Sequence, residues 1–110
     1  MRTSEAIIRG CEVCPRKATS YYIREGDSYV SACVLGAAAI GMLGLEGVSL
    51  NELRRKASEI RVSLEQQALC PEGCSFGTVS VTVGTIMVHL NDSHDWSRER
   101  IAEWLKERGL

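Results

Sequence analysis

The sequence predicts a mainly α fold, one globular domain over 1–110 built from four or five short helices. Three observations carry this. Apolar residues recur at helical spacing, most clearly at Leu50, Leu53, Ala57, Ile60 and Leu64. Helix-start and helix-stop residues bracket such stretches, with Ser49 and Ser97 before them and Gly44, Gly47 and Gly109 after. The chain has 110 residues, enough for one modest core, and with aromatics at 5% that core must be made of Ala, Val, Leu and Ile. The alternative is α+β, with a hairpin in 76–90.

The first helix starts near Ser4 and ends before Pro15, because proline lacks a donor and turns its predecessor away from helix. Ile7, Cys11 and Cys14 share one face of it. Ser20, Tyr21, Tyr22 and Ile23 favour a short extended piece, and Glu25-Gly26-Asp27 reads as a turn. The Ala-rich run from about Ser31 to Leu43 suits a helix packed closely on its neighbours, since its side chains are small. Ser49 and Glu52 form a capping box that opens the next helix. Val79, Val81 and Val83 alternate as in a strand, whereas Val83, Ile86, Met87 and Leu90 follow helical spacing. We read this stretch as a helix ending near Asn91. Ser97 caps a last helix that buries Ile101, Trp104 and Leu105.

Charge and composition exclude several functions. Thirteen Lys and Arg against fourteen Asp and Glu give a net charge of −1, which argues against a nucleic-acid coat protein. Arg54, Arg55, Lys56 and Arg61 are interleaved with Glu52, Glu59 and Glu65, the pattern of a solvated, ion-paired face. Ser97 to Leu105 resembles the supporting helix of a helix-turn-helix, but no room remains in the sequence for a recognition helix after it. Arg2, Glu5 and Arg9 interrupt the first ten residues, so they do not read as a secretory signal, and a cytoplasmic setting with reduced thiols is expected. Ser28 to Leu45 carries no charge, long enough to raise a membrane span; Gly36, Gly41, Gly44 and Cys33 within it favour a buried core helix.

Five cysteines cannot all pair with one another. Two close pairs, Cys11 with Cys14 and Cys70 with Cys74, suggest a zinc site, because each tight turn presents two thiolates to one tetrahedral ion. His89 and His94 are alternative ligands. Against a joint site, 55 residues separate the pairs, and a free cysteine such as Cys11 also serves as a small buried hydrophobe. Cys33, near the start of the Ala-rich helix, is a candidate nucleophile. His89 or His94 would be its base, oriented by Asn91 or Asp92. The competing reading is a packed core cysteine. Residues His89 to Trp96 form a polar loop in which Asn91 and Asp92 can bond local backbone, with Trp96 buried at the joint. The Asp92–Asp95 stretch lacks the ligand number, central Gly and terminal Glu of an EF-hand loop.

The pattern His89-Leu90-Asn91-Asp92-x-His94-x-Trp96-Ser97-Arg98-Glu99-x-Ile101-Ala102-x-Trp104-Leu105 resembles the C-terminal signature of a group of small uncharacterised phage and bacterial proteins. Ala32-Cys33-Val34-Leu35-Gly36-Ala37-Ala38 is similar to their central motif, and Ala6 to Gly10 to their opening helix. The Cys11/Cys14 pair departs from that pattern. The resemblance implies a small, mostly helical protein and carries no established activity. The expected function is therefore a cytoplasmic binding or accessory module, acting through a protein partner, with no membrane or nucleic acid. The alternative is a small enzyme using Cys33.

Overall fold

The computed structural model describes residues 1–25, 28–74 and 81–110, with 24, 25 and 28–30 described by their backbone alone. The elements run α1 (Thr3–Val13), β1 (Arg16–Lys17), β2 (Tyr22–Glu25), β3 (Ser28–Ala32), α2 (Val34–Leu43), α3 (Leu50–Ser63), β4 (Gln67–Ala68), β5 (Val81–Thr82), α4 (Val83–Ser93) and α5 (Arg98–Glu107). The fold is mainly α with small sheets, as the sequence predicts. The expected turn at Glu25-Gly26-Asp27 lies partly outside the described residues.

Side chains stop and start these helices largely as their residue types dictate. Ser49, Thr82 and Ser97 each accept, through the hydroxyl, the amide three residues on, at the starts of α3, α4 and α5. The start of α2 is capped by a thiol instead: Gly36 N–H donates to Cys33 Sγ at 3.4 Å. Asn91 takes the next free amide there, its Oδ1 accepting from Val34 N–H at 3.1 Å. Its Nδ2 donates to the Ala18 carbonyl, so this one buried amide joins α4, α2 and the segment before β2.

Both periodicities of the 79–90 stretch have a physical basis within the described residues. Val81 and Thr82 pair antiparallel with Ala68 and Gln67, and the chain then turns helical at Val83, with Thr82 as the cap. The helix runs two residues past Asn91, to Ser93. The larger sheet lies earlier in the chain, in the order β1-β3-β2, with β1 parallel and β2 antiparallel to β3. The alternative of a hairpin in 76–90 falls partly outside the described residues, and within them Val81 and Thr82 pair with β4. The uncharged run Ser28 to Leu45 divides into β3 and α2, and no helix among the described residues is long and apolar enough to cross a membrane.

The core is one cluster of mostly aliphatic side chains, including Leu35, Ile40, Leu53, Ile86, Met87, Leu90, Ile101 and Leu105. At its centre, α1 and α2 meet backbone to backbone. A Cβ at Gly10 would overlap the Ala37 carbonyl, and one at Gly41 the Ala6 carbonyl. The small residues of α2 thus permit an approach that larger side chains would hold apart. Across the bottom of this pair lies Arg98, the first residue of α5, which is 2% exposed. Its guanidinium donates to the carbonyls of Cys14, Ala32 and Pro15.

Alanine ordinarily favours a helix over glycine by about 1 kcal/mol. At Gly10 and Gly41 the sign should reverse. Gly10→Ala and Gly41→Ala are each expected to lose about 2–3 kcal/mol in chemical denaturation, whereas Ser58→Ala, exposed on α3, should change stability by less than about 0.5 kcal/mol.

Candidate metal centre

Cys70 and Cys74 sit on a tight turn. Gly73 N–H donates to the Cys70 carbonyl at 3.0 Å, and Gly73 takes a left-handed φ of 67°, a conformation that suits glycine. The turn follows β4 by two residues. Because β4 pairs with β5, and β5 leads directly into α4, the sheet carries the cysteine turn to the helix that holds His89. His94 is the first residue beyond that helix, with φ −108° and ψ 0°. The bend there returns its ring to the His89 side, the two rings meeting edge to face at 4.7 Å between centroids.

The four side chains converge on one point. His94 Nε2 lies 3.6 Å from Cys70 Sγ, 3.5 Å from Cys74 Sγ and 3.0 Å from His89 Nε2. Cys74 Sγ lies 3.1 Å from His89 Nε2. All four ligand atoms fall within 4.8 Å of one another. A ring nitrogen has one N–H or one in-plane lone pair, so it makes one good hydrogen bond. Three simultaneous neighbours are a poor hydrogen-bond network but a good coordination polyhedron. Tetrahedral zinc, with Zn–S near 2.3 Å and Zn–N near 2.0–2.1 Å, would set its ligand atoms about 3.3–3.8 Å apart. The four separations given above lie close to those edges, slightly short on His89.

Neighbouring contacts hold the turn against α5. Trp96 Nε1–H donates to Glu72 Oε1 at 2.7 Å, Glu72 lying between the two cysteines. The Arg100 guanidinium stacks 3.7 Å over the Trp96 ring and reaches the same carboxylate at 3.7 Å. On the other side Lys17 donates to Asp95 Oδ1 at 2.6 Å and to the Trp96 carbonyl at 3.1 Å. The Lys17 ammonium holds the Asp95 carboxyl below its ordinary pKa.

The structure therefore divides the expected ligand set. Cys70 and Cys74 join the two histidines, which the sequence offered as alternatives. Cys11 and Cys14 are not members of this group, the one such cluster among the described residues. They sit at the C-terminal end of α1, buried in the core beside Arg98. Burial pushes the Cys11 thiol up to about 12, against the pull of the Arg98 charge. Cys14 is raised by burial as well.

The candidate nucleophile is also only partly assembled. Cys33 lines a cavity together with Asn91 and Asp92, but neither histidine lines it. Burial raises the Cys33 thiol pKa although amides of Gly36 and Leu35 oppose this. Asp92 is exposed and accepts from Asn91 Nδ2 at 2.8 Å. Two functional features escaped the sequence reading. Arg98 has no role in the sequence reading beyond its place in the last helix. The spacing Cys70-x3-Cys74-x14-His89-x4-His94 falls within the range for a Cys2His2 site, and was legible had each histidine been set against the nearer cysteine pair. Comparison with family models, curated proteins and solved structures gives no match to this chain.

The thiol burial has a pH signature. A thiol whose folded pKa is raised contributes stability that is complete below its ordinary 9.0 and is lost as the pH climbs toward the folded value, about 12 for Cys11. Denaturation midpoints should therefore fall between pH 9 and 11, and Cys11→Ala should flatten part of that fall. At pH 8, mass spectrometry after brief alkylation should find Cys11 and Cys33 largely unmodified in the folded protein and fully modified in denaturant.

Proposed function

We propose that Cys70, Cys74, His89 and His94 bind one zinc ion, and that this ion staples a small binding module acting through contacts with a protein partner. The observation that carries the metal reading is the meeting of two sulfurs and a second imidazole around His94 Nε2. The donor set selects the ion. Two thiolates with two imidazoles suit zinc, whereas calcium and magnesium take oxygen ligands.

Four protein ligands complete a tetrahedron and leave no position for water or substrate, which is the pattern of a structural site. The ion would join the turn after β4 to the end of α4 and, through Glu72 and Trp96, to the start of α5. That supports a role in shape and recognition before one in catalysis. A cytoplasmic setting, which keeps thiols reduced and able to hold metal, suits this reading. An enzyme built on Cys33 has weaker support, because its thiol is stabilised in the neutral form and both imidazoles face the sulfurs.

Metal analysis of untagged protein purified without chelator tests the reading. About one zinc per chain is expected. His94→Ala and Cys70→Ser should lose most of it, and the double variant Cys11→Ser/Cys14→Ser should keep it. Cobalt substitution should give the spectrum of a tetrahedral thiolate site, and chelation should lower the melting temperature. Protein that takes up no zinc on refolding with a stoichiometric supply, or that loses it only in the Cys11/Cys14 double variant, overturns the assignment.

A further inference from the structure

A cavity of about 600 Å³ opens between the segment before β2, the start of α2, and the facing sides of α3 and α4. That is the size of a small-molecule site. Its walls are fixed by backbone contacts. A Cβ at Gly36 would overlap the Tyr21 carbonyl, which seats the first turn of α2 against that segment. A Cβ at Gly84 would overlap the Arg61 carbonyl, which holds α4 against α3. The Tyr22 hydroxyl donates to the Leu53 carbonyl at 3.1 Å and anchors the side wall.

The lining has two characters. The half-buried Tyr21, Tyr22 and Val88 offer an apolar surface, while Arg54 and Arg61 bring two positive charges and Asp92 one acceptor. Arg54 and Arg61 are exposed, and neither makes an ion pair among the described residues, although acidic residues flank them along α3. They stand two helical turns apart, about 10 Å between Cα atoms, and each side chain is long enough to reach inward between them. A carboxylate is satisfied by one guanidinium fork, whereas a phosphate has enough oxygens for two. The Asp92 carboxylate, which already accepts from Asn91, keeps acceptor capacity for a hydroxyl or amino group.

We infer that this cavity binds a small phosphorylated organic molecule, its phosphate held by Arg54 and Arg61 and its body laid against Tyr21, Tyr22 and Val88. None of the four candidate metal ligands lines the cavity. Metal content and ligand binding therefore report on different residues, and either assignment can fail while the other stands.

The test uses the whole chain, purified as it exists, followed by amide NMR during titration with AMP and with glucose 6-phosphate. These two distinguish a nucleotide from a sugar phosphate. Adenosine and inorganic phosphate serve as the separate halves of the first probe. At least one of the organic phosphates should shift the Tyr21, Tyr22 and Val88 amides saturably, and inorganic phosphate and adenosine should each bind about tenfold or more weakly. The double variant Arg54→Ala/Arg61→Ala should weaken binding by about tenfold or more, since each charged hydrogen bond lost is worth roughly that factor. Its remaining spectrum should match the parent, because both side chains are exposed. Absence of shifts with both organic phosphates, shifts confined to another surface, or full affinity in the double variant overturns the inference.

Discussion

A guanidinium that is 2% exposed must find its acceptors inside the protein, and Arg98 finds three in backbone carbonyls. Those of Cys14 and Pro15 close α1 and enter β1, and that of Ala32 ends β3 immediately before the cap of α2. One side chain thus fixes where the first helix stops, where the sheet ends and where the last helix begins. A buried charge is costly, and removing it would leave three carbonyls in a dry interior without the donor they face. The placement of α5 also bears on the sulfur cluster, because Trp96 and Arg100, which meet Glu72, lie at the start of that helix. The Trp96 indole and the Arg100 guanidinium meet Glu72 between the two cysteines, and Arg98 shares the placing of that helix with the Leu90 carbonyl, which accepts from Trp96 N–H.

Much of the architecture was legible because it depends on local rules. The apolar spacing of α3, the hydroxyl caps at Ser49 and Ser97, and the small residues of α2 each state their own structure. The chain from 81 onward was harder, because two true periodicities meet there. Thr82 both pairs with Gln67 and caps α4, and periodicity does not mark the point at which one pattern gives way to the other. Arg98 was illegible for a different reason. A charged residue in a first helical turn looks the same whether it faces water or three carbonyls, and only the tertiary fold distinguishes them.

The candidate metal centre lies between these cases. Two cysteine pairs invited a symmetrical reading in which one pair completes the other. Yet Cys11 already fitted the apolar stripe of α1, and the structure gives that role to it, with Cys14 buried alongside. The cysteine turn instead meets the helix next along the chain, brought back by a pairing of only two residues per strand. Such a short ladder is a weak sheet on its own. A tetrahedral ion across the turn and the helix end would secure the same junction with bonds far stronger than the ladder. That matters in a chain whose aromatic content of 5% limits the size of its core contacts.

The meeting of α1 and α2 bears on ancestry. The obstacles at Gly10 and Gly41 are main-chain carbonyls, those of Ala37 and Ala6, and every amino acid carries the same carbonyl. No exchange of a neighbouring side chain can therefore make room for a Cβ, and compensation through a partner residue is closed. A descendant that keeps these helices at this distance keeps glycine at both places. Two glycines 31 residues apart, one inside each of two helices, are thus a mark of this helix pair that no side-chain exchange can replace.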